Sequence, residues 1–187
     1  MDDTHHMTDY AADTAVMNTY GRAEIAFVRG HGCWLDSETQ ETYLDCASGI
    51  AVNTLGHTHP RLVAALQDQA SKLWHTSNLY HIPGQEQVAK RLAALSGLDQ
   101  VFFCNSGAEA MEGALKVARK YHFANGEPKR ERVIACSRAF HGRTLATLSA
   151  GDSDKYREGF GPRPGGFEHV PFGNLNELRA AMGDDVA

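Results

Sequence analysis

Short apolar runs separated by turn residues fill the first part of the chain. Two glycines lie between the apolar stretches of residues 26–36, and a polar turn at 37–41 precedes a further short run at 42–45. Runs of this kind are typical of hairpins. This part of the sequence therefore predicts a small antiparallel sheet, followed by a glycine-rich stretch at 47–56 with little pattern.

The next two segments have the spacing of amphipathic helices. The first is predicted to begin at Pro60, because proline fits the first turn of a helix. The second follows a Pro-Gly break and has Gly97 as its stop. Apolar residues recur at helical spacing on each, namely Leu62, Leu66, Ala70 and Leu73 on the first helix and Val88, Leu92 and Leu95 on the second. The first helix is predicted to bury that face.

From residue 98 onward, strand and helix patterns alternate. The predicted elements are strands at 101–104, 132–136 and 169–172, helices at 108–123 and 175–182, a short helical or irregular piece after Arg143, and a loop at 159–166. Alternation indicates an α/β fold with a parallel sheet, where ligands bind beyond the carboxyl ends of the strands. Residues 184–187 resemble a turn entering another strand. We therefore expect an incomplete sheet, the amino-terminal part of a longer protein.

Composition narrows the functional class. The chain has 187 residues, 42% of them apolar, and a formal net charge of −5, as expected of an ordinary globular protein. No stripe of lysine and arginine is present, so nucleic acid is not an expected partner. No apolar run reaches the length of a membrane span, and the first residues lack the layout of a signal peptide. A cytoplasmic location is predicted.

The cysteines and histidines do not form a metal-binding pattern. His57 and His59 precede a predicted helix start, and no nearby carboxylate or cysteine completes a ligand set. No C-x-x-C pair is present, and most cysteines lie in or beside apolar stretches, which predicts buried, reduced thiols. The four are Cys33, Cys46, Cys104 and Cys136. No metal site is predicted.

The most informative motif is NSGAEA at 105–110, where a predicted strand gives way to a helix. Amide N–H groups at a helix N-terminus carry partial positive charge and bind anions. The amides of Gly107 and Ala108 and the hydroxyl of Ser106 could hold a phosphate, since glycine lets an anion approach the backbone. The alternative is a purely structural helix cap. Dinucleotide and nucleoside triphosphate sites are disfavoured, because neither of their glycine-rich motifs is present.

A second motif, FHGR at 140–143, follows the next predicted strand. Phe140 would stack on a flat ring, and Arg143 would hold a carboxylate, because its planar fork matches that anion. The ordinary alternatives are a core phenylalanine and a surface arginine. His141 is a candidate general base, but the sequence gives it no partner.

Five segments of the chain occur in an order that is more specific than any single motif. They are LDCASGIAVNTLGHTHPRLVAAL, LWHTSNLY, FFCNSGAEAMEGALKVARKY, AFHGRTLATLSA and KYREGFGPRP. From about residue 20 to its end, the chain resembles the class-III pyridoxal phosphate-dependent aminotransferases, most of all their acetylornithine branch. The resemblance implies an aspartate aminotransferase-like fold (fold type I), pyridoxal 5′-phosphate as cofactor and a homodimer.

By that resemblance, Ser106, Gly107 and Ala108 bind the cofactor phosphate. Phe140 then stacks on the pyridine ring, and Arg143 binds the substrate α-carboxylate. The implied reaction, in arginine biosynthesis, transfers the δ-amino group of N-acetylornithine to 2-oxoglutarate and gives N-acetylglutamate semialdehyde and glutamate. Two alternatives stay open: another ω-aminotransferase, acting on ornithine, succinylornithine or 4-aminobutyrate, and a non-catalytic phosphate-binding or dimerising module.

The resemblance also bears on domains and on the catalytic lysine. We expect a flexible amino-terminal segment at 1–18, part of a small domain with a linker at 19–56, and an incomplete large cofactor-binding domain at 57–187.

The chemistry needs a lysine that forms a Schiff base and an acidic partner for the pyridinium nitrogen. In the family both come later in the sequence, and none of the six lysines here stands in that context. No catalytic residue is assigned, and the chain alone is expected not to transaminate.

Overall fold

The computed structural model describes residues 14–187, which form two compact units. The first unit extends as far as Pro83 and the second begins at Gly84. Most of the predicted amino-terminal segment lies outside the described residues. The predicted domain boundary at 56/57 falls inside the first unit, and the assignment of small and large domains stays a prediction.

The first unit contains the antiparallel sheet that the sequence predicted. Its strands are β1 (Phe27–His31), β2 (Trp34–Ser37) and β3 (Thr42–Leu44), paired in the order β1-β2-β3. Gly32 adopts a φ of 54° in the turn between the first two strands, a conformation that glycine tolerates best. Ser37 closes the next turn, because its amide N–H and its hydroxyl both donate to the carbonyl of Glu41.

A left-handed turn, which the sequence did not predict, follows the sheet. In α1 (Ser48–Ala51) the φ angles are 48°, 63°, 63° and 62°. Only one of the four residues is glycine, and the left-handed region costs other residues roughly 1–2 kcal/mol each. Such a turn persists only where its surroundings hold it.

Three side chains hold this turn in place. The carboxylate of Asp45, 8% exposed, accepts the amide N–H groups of Ala47 and Ser48 at 3.0 and 2.7 Å. With its proton on Nε2, the His57 imidazole donates to Asp45 at 2.7 Å and accepts the amide of Asn53 through Nδ1 at 2.9 Å. The hydrogen bond from His57, with those from the backbone, holds the pKa of Asp45 below its usual range.

The two early helices begin and end close to the predicted residues. They are α2 (Pro60–Ala70) in the first unit and α3 (Gln85–Ser96) in the second, and Gly97 ends α3 with a φ of 72°. The predicted burial of this helix face is wrong for the described residues, since Leu62, Leu66 and Leu73 are 50–71% exposed, and Leu73 lies beyond the end of α2. Spacing fixes which residues share a face, but burial needs a second element against that face.

The second unit is an α/β arrangement, as predicted. Its further elements are α4 (Gly107–Ala124), β4 (Val133–Cys136), α5 (Leu145–Ala150), a 3-10 turn (Asp154–Tyr156), β5 (Phe167–Val170) and α6 (Leu175–Ala181). Strands β4 and β5 are parallel, and Val186 adds a parallel bridge beside Arg132. Strand β5 begins two residues before the predicted strand 169–172.

The core of this unit lies where α4, α5, α6 and β5 meet. Its buried apolar side chains are Leu115, Leu148, Ala150, Val170, Ala181 and Val186. Thr147 and Ser149 are also buried, on α5. The core therefore fixes α5 and the loop that leads into it.

Two predictions are wrong for the described residues. The segment 101–104 is not a strand, because no described strand pairs with its backbone, and Phe102 is 76% exposed. The cysteines are free but not buried: Cys136 is half-buried and the other three are exposed.

Within residues 14–187, no helix has both the length and the apolar character of a membrane span.

Candidate active site

The amino terminus of α4 is capped as the structural alternative predicted. Ser106 has extended backbone angles, and its hydroxyl oxygen accepts the amide N–H of Glu109 at 3.2 Å. The Glu109 carboxylate reaches back and accepts the amide N–H of Asn105 at 2.6 Å. Glu109, the acidic residue of the first turn, is thus hydrogen-bonded to Asn105, the residue before the cap.

The cap leaves room and donors for an anion. Among the described residues, the amides of Gly107 and Ala108 have no hydrogen-bond acceptor, and the Ser106 hydroxyl donates to none. A Cβ placed on Gly107 would meet nothing within 4 Å. Two amides without acceptors and a hydroxyl therefore lie at the start of an 18-residue helix, with open space beside Gly107, and this donor set fits a phosphate group.

The FHGR loop packs directly on this helix terminus. Gly142 adopts a φ of 127°, and a Cβ there would lie 2.7 Å from the Cβ of Ala108 and 2.9 Å from the hydroxyl of Thr147. No side chain other than hydrogen fits between them. The structure thus brings the loop at 140–143, which follows β4, against the first turn of α4.

A second contact joins the same two elements. Thr144 caps α5 through a reciprocal pair of hydrogen bonds with Thr147, which fixes the start of that helix. The hydroxyl of Thr144 also donates to the carboxylate of Glu112 on α4 at 2.5 Å. The loop is consequently held on both sides of Arg143.

Phe140 and Arg143 both lie at the surface of this junction. The Phe140 side chain is 68% exposed and lines a small cavity together with Gly142, Thr147 and Tyr156. The guanidinium carbon of Arg143 lies 5.3 Å from the centre of the Tyr156 ring. Both side chains can therefore meet a ligand, whereas the described residues give His141 no hydrogen-bond partner.

Four residues that shape this site were not predicted from the sequence. Gly142 lies within the FHGR motif, and a glycine before a T-x-x-T cap is a recognisable signal for close packing. Glu112 lies four residues after Ala108, on the same face of α4. Thr144 has only the local signal of a helix cap, and Tyr156 has no signal in the sequence that would place it here.

A family model described as aminotransferase class-III matches residues 15–185. Among curated relatives, the acetylornithine aminotransferase of Agrobacterium fabrum is 53% identical over 176 residues, which cover 94% of this chain and 44% of the relative. The acetylornithine aminotransferase of Mesorhizobium japonicum is 54% identical over 174 residues, or 93% and 44%. The chain thus spans less than half the length of these relatives.

Solved structures give the same result. The ornithine aminotransferase of Toxoplasma gondii superposes with a TM-score of 0.87 at 31% identity, over 92% of this chain and 42% of that one. The N-acetylornithine aminotransferase of Stenotrophomonas maltophilia superposes with a TM-score of 0.70 at 38% identity, over 87% and 40%. Another structure of the Toxoplasma enzyme has partial occupancy of pyridoxal phosphate at its active site.

These likenesses confirm the predicted fold. The neighbours are aminotransferases of fold type I, and the class-III family depends on pyridoxal phosphate. The anion-binding donors at the start of α4 are what a phosphorylated cofactor needs. The family match covers nearly all described residues, so the chain belongs to the class-III aminotransferases.

Proposed function

We propose that this chain supplies the cofactor-phosphate and substrate-carboxylate subsites of an enzyme that transfers the amino group of N-acetylornithine to 2-oxoglutarate. The packing of Gly142 on Ala108 supports the proposal, because it brings the amides at the start of α4, which have no acceptor among the described residues, and the exposed side chain of Arg143 to one junction. The names of the relatives at 53–54% identity support the choice of substrate.

In this proposal, α4 binds the phosphate of the cofactor. The amides of Gly107 and Ala108 and the hydroxyl of Ser106 donate hydrogen bonds, and the helix dipole stabilises the negative charge. The exposed ring of Phe140 stacks on the flat face of the cofactor. Bound pyridoxal phosphate supplies the electron sink that amino-group transfer requires.

Arg143 binds the carboxylate that both substrates share. The α-carboxylate of N-acetylornithine and the C5 carboxylate of 2-oxoglutarate each lie at the far end of a short carbon chain from the carbon that reacts. A guanidinium stays charged across the working pH range and matches a carboxylate with two parallel N–H donors. One residue can therefore orient the donor and the acceptor in turn.

The proposal assigns no catalytic lysine to these 187 residues. The small cavity beside Phe140 has no lysine in its lining. We propose that the Schiff-base lysine and the partner of the pyridinium nitrogen are supplied by sequence beyond this chain. We also propose that the complete enzyme is a homodimer that acts in the cytoplasm, in arginine biosynthesis. Pyridoxal phosphate mixed with this chain alone at stoichiometric concentration should give no lysine-specific adduct after borohydride reduction and peptide mapping, beyond the weak and unselective labelling of exposed lysines.

An ornithine-specific ω-aminotransferase is the second candidate, because the Toxoplasma ornithine enzyme superposes with a TM-score of 0.87. Steady-state kinetics of the protein at its full encoded length separate the two. We expect a higher kcat/KM for N-acetylornithine than for ornithine or 4-aminobutyrate. A preference for ornithine would replace the first candidate with the second, and no transfer from any of the three would contradict both.

The phosphate subsite can be tested on the chain itself. Replacement of Gly107 by valine fills the open space before the helix, whereas Gly165→Val is a matched control because a Cβ there also meets nothing. Gly107→Val should weaken binding of pyridoxal phosphate about 10- to 100-fold, as expected for lost hydrogen bonds to a charged group. Equal affinities of the two variants, measured by calorimetry, would remove the α4 terminus from the site.

A further inference from the structure

We propose that Glu112 is a positioning residue for the cofactor ring, acting through the hydroxyl of Thr144 on the loop that presents Phe140. This inference rests on the proposed role of Phe140 and does not involve the substrate carboxylate. Glu112 belongs to α4 but lies outside both motifs. The same helix then binds the phosphate at its terminus and positions the ring from its second turn.

One hydrogen bond joins the side chain of Glu112 to the end of the FHGR loop. The hydroxyl of Thr144, the residue after that loop, donates to Oε1 of Glu112 at 2.5 Å. This distance is typical of a hydroxyl that donates to a charged carboxylate, which is a stronger acceptor than a neutral oxygen. Glu112 is half-buried, so water competes less for its carboxylate than at an exposed position. The contact therefore ties the loop to α4.

The position of Thr144 is itself fixed by the start of α5. Its hydroxyl oxygen accepts the amide N–H of Thr147 at 3.2 Å, and its own amide N–H donates to the Thr147 hydroxyl at 3.0 Å. Thr147 is fully buried. A single hydroxyl thus links α4 to the first turn of α5, and the bond to Glu112 restrains the backbone of the loop as well as a side chain.

The backbone of Phe140 is held on both sides. Before it, the carbonyl oxygen of Ala139 lies 3.1 Å from the position that a Cβ on Gly151 would take. After it, Gly142 packs against the first turn of α4, and the bond to Glu112 closes the loop. The Phe140 side chain is 68% exposed, so the place of its ring depends mainly on the loop backbone.

Such a restraint matters because stacking depends on geometry. Aromatic rings attract each other only within a narrow range of separation and offset. A loop that is ordered only when the ligand binds loses conformational freedom, and this loss weakens binding. A loop already tied to α4 keeps the Phe140 ring at a set distance from the phosphate donors at residues 106–108, as pre-organised groups do in active sites. Glu112 therefore acts on ring binding and not on phosphate binding.

Two ligands separate these effects in an amide NMR titration of the chain. Inorganic phosphate reports on the α4 terminus alone, whereas pyridoxal phosphate also reports on the ring. Glu112→Ala removes the acceptor, Glu112→Asp keeps the charge on a shorter side chain, and Glu112→Gln keeps an acceptor for Thr144. Lys116→Ala is the matched control, since Lys116 is an exposed residue of the same helix.

The ratio of the two dissociation constants measures the contribution of the ring. Glu112→Ala and Glu112→Asp should lower the preference for pyridoxal phosphate over inorganic phosphate about 3- to 10-fold, as expected for loss of one aromatic contact, with phosphate affinity unchanged. Glu112→Gln should retain most of the preference, and Lys116→Ala all of it. In Thr144→Val, a further Glu112→Ala change should have no effect on the preference, because both residues act through one hydrogen bond.

The results separate this inference from the proposed function. An unchanged preference in Glu112→Asp would overturn the positioning role and leave the proposed function intact. Equal losses of affinity for both ligands would show that Glu112 only stabilises α4, and would also overturn the positioning role. An absence of phosphate-induced shifts at Gly107 and Ala108 in the wild-type chain would instead contradict the proposed function.

The protein at its full encoded length gives a second measurement. The circular dichroism of bound pyridoxal phosphate depends on how the protein holds the ring. At equal cofactor content, this signal should fall in Glu112→Asp and be retained in Glu112→Gln and Lys116→Ala. Equal signals in the wild type and Glu112→Asp would overturn the proposal.

Discussion

Because Gly142 has no Cβ, the loop at 140–143 can pack against the first turn of α4. Its φ of 127° and its contact with Ala108 exclude any larger residue. The sequence shows glycine at this position, but it does not show that α4 lies against it. The helix cap at Ser106 could be predicted because a helix start has a local signal, whereas the Gly142 contact joins residues far apart in the chain.

Replacement of Gly142 by alanine tests this packing. We expect Gly142→Ala to lower the free energy of unfolding by about 1–3 kcal/mol, because the added methyl overlaps Ala108 and Thr147. Gly159→Ala is the matched control, since Gly159 also has a positive φ, of 83°, but open space around it. Denaturant melts of the two variants measure the difference, and equal losses would show that backbone strain alone matters at Gly142.

The Thr144 hydroxyl offers a second prediction for a single residue. Thr144→Val should cost about 1–2 kcal/mol, because it removes an N-cap and leaves Glu112 without its partner. Thr144→Ser keeps the hydroxyl and should melt close to the wild type. Thermal unfolding of both variants measures the two losses of stability. A loss in Thr144→Ser as large as that in Thr144→Val would contradict the prediction.

Among the elements, local patterns predicted helices far better than they predicted contacts. The start of α2 at Pro60, the end of α3 at Gly97 and most of α4 follow from residues within a few positions. Segment 101–104 has a strand composition but no described neighbour to pair with, and pairing cannot be deduced from composition. The turn α1 was missed for a related reason, since its left-handed angles depend on Asp45 and His57.

The turn α1 should respond to acid. The pKa of Asp45 is lowered, first by its hydrogen bond with His57, so the carboxylate stabilises the turn above the ordinary aspartate pKa. That stabilisation is lost as pH falls through the lowered pKa of the folded state. The amide shifts of Ala47 and Ser48 should therefore move together in an NMR titration on the acid side of the ordinary aspartate pKa. Asp45→Asn should abolish that transition, and its persistence would assign the change to another group.

For the whole molecule, the family and the fold could be predicted, whereas the extent of the core could not. Motif order identified the class-III aminotransferases, and the family model confirms them across residues 15–185. The predicted apolar face of α2 exists, but it is exposed in the described structure. A sequence pattern indicates which side of a helix seeks a partner and does not supply the partner.

This exposed apolar surface predicts the behaviour of the isolated chain. Trp74 and Leu79 in the first unit and Phe172 in the second are each at least 85% exposed, and exposed large apolar side chains favour association. The 187-residue chain should therefore bind a hydrophobic dye and show a mass that rises with concentration in light scattering. A monomer without dye binding would show that these side chains are covered in solution.

The central claim is that the α4 terminus and the FHGR loop form one site for pyridoxal phosphate. Amide NMR of the chain during titration with pyridoxal phosphate tests it most directly. The account predicts saturable shifts at Gly107, Ala108 and Phe140 together, with the first two also shifted by inorganic phosphate and not by pyridoxal, which lacks the phosphate. Shifts confined to other residues, or equal shifts with pyridoxal, would contradict the claim.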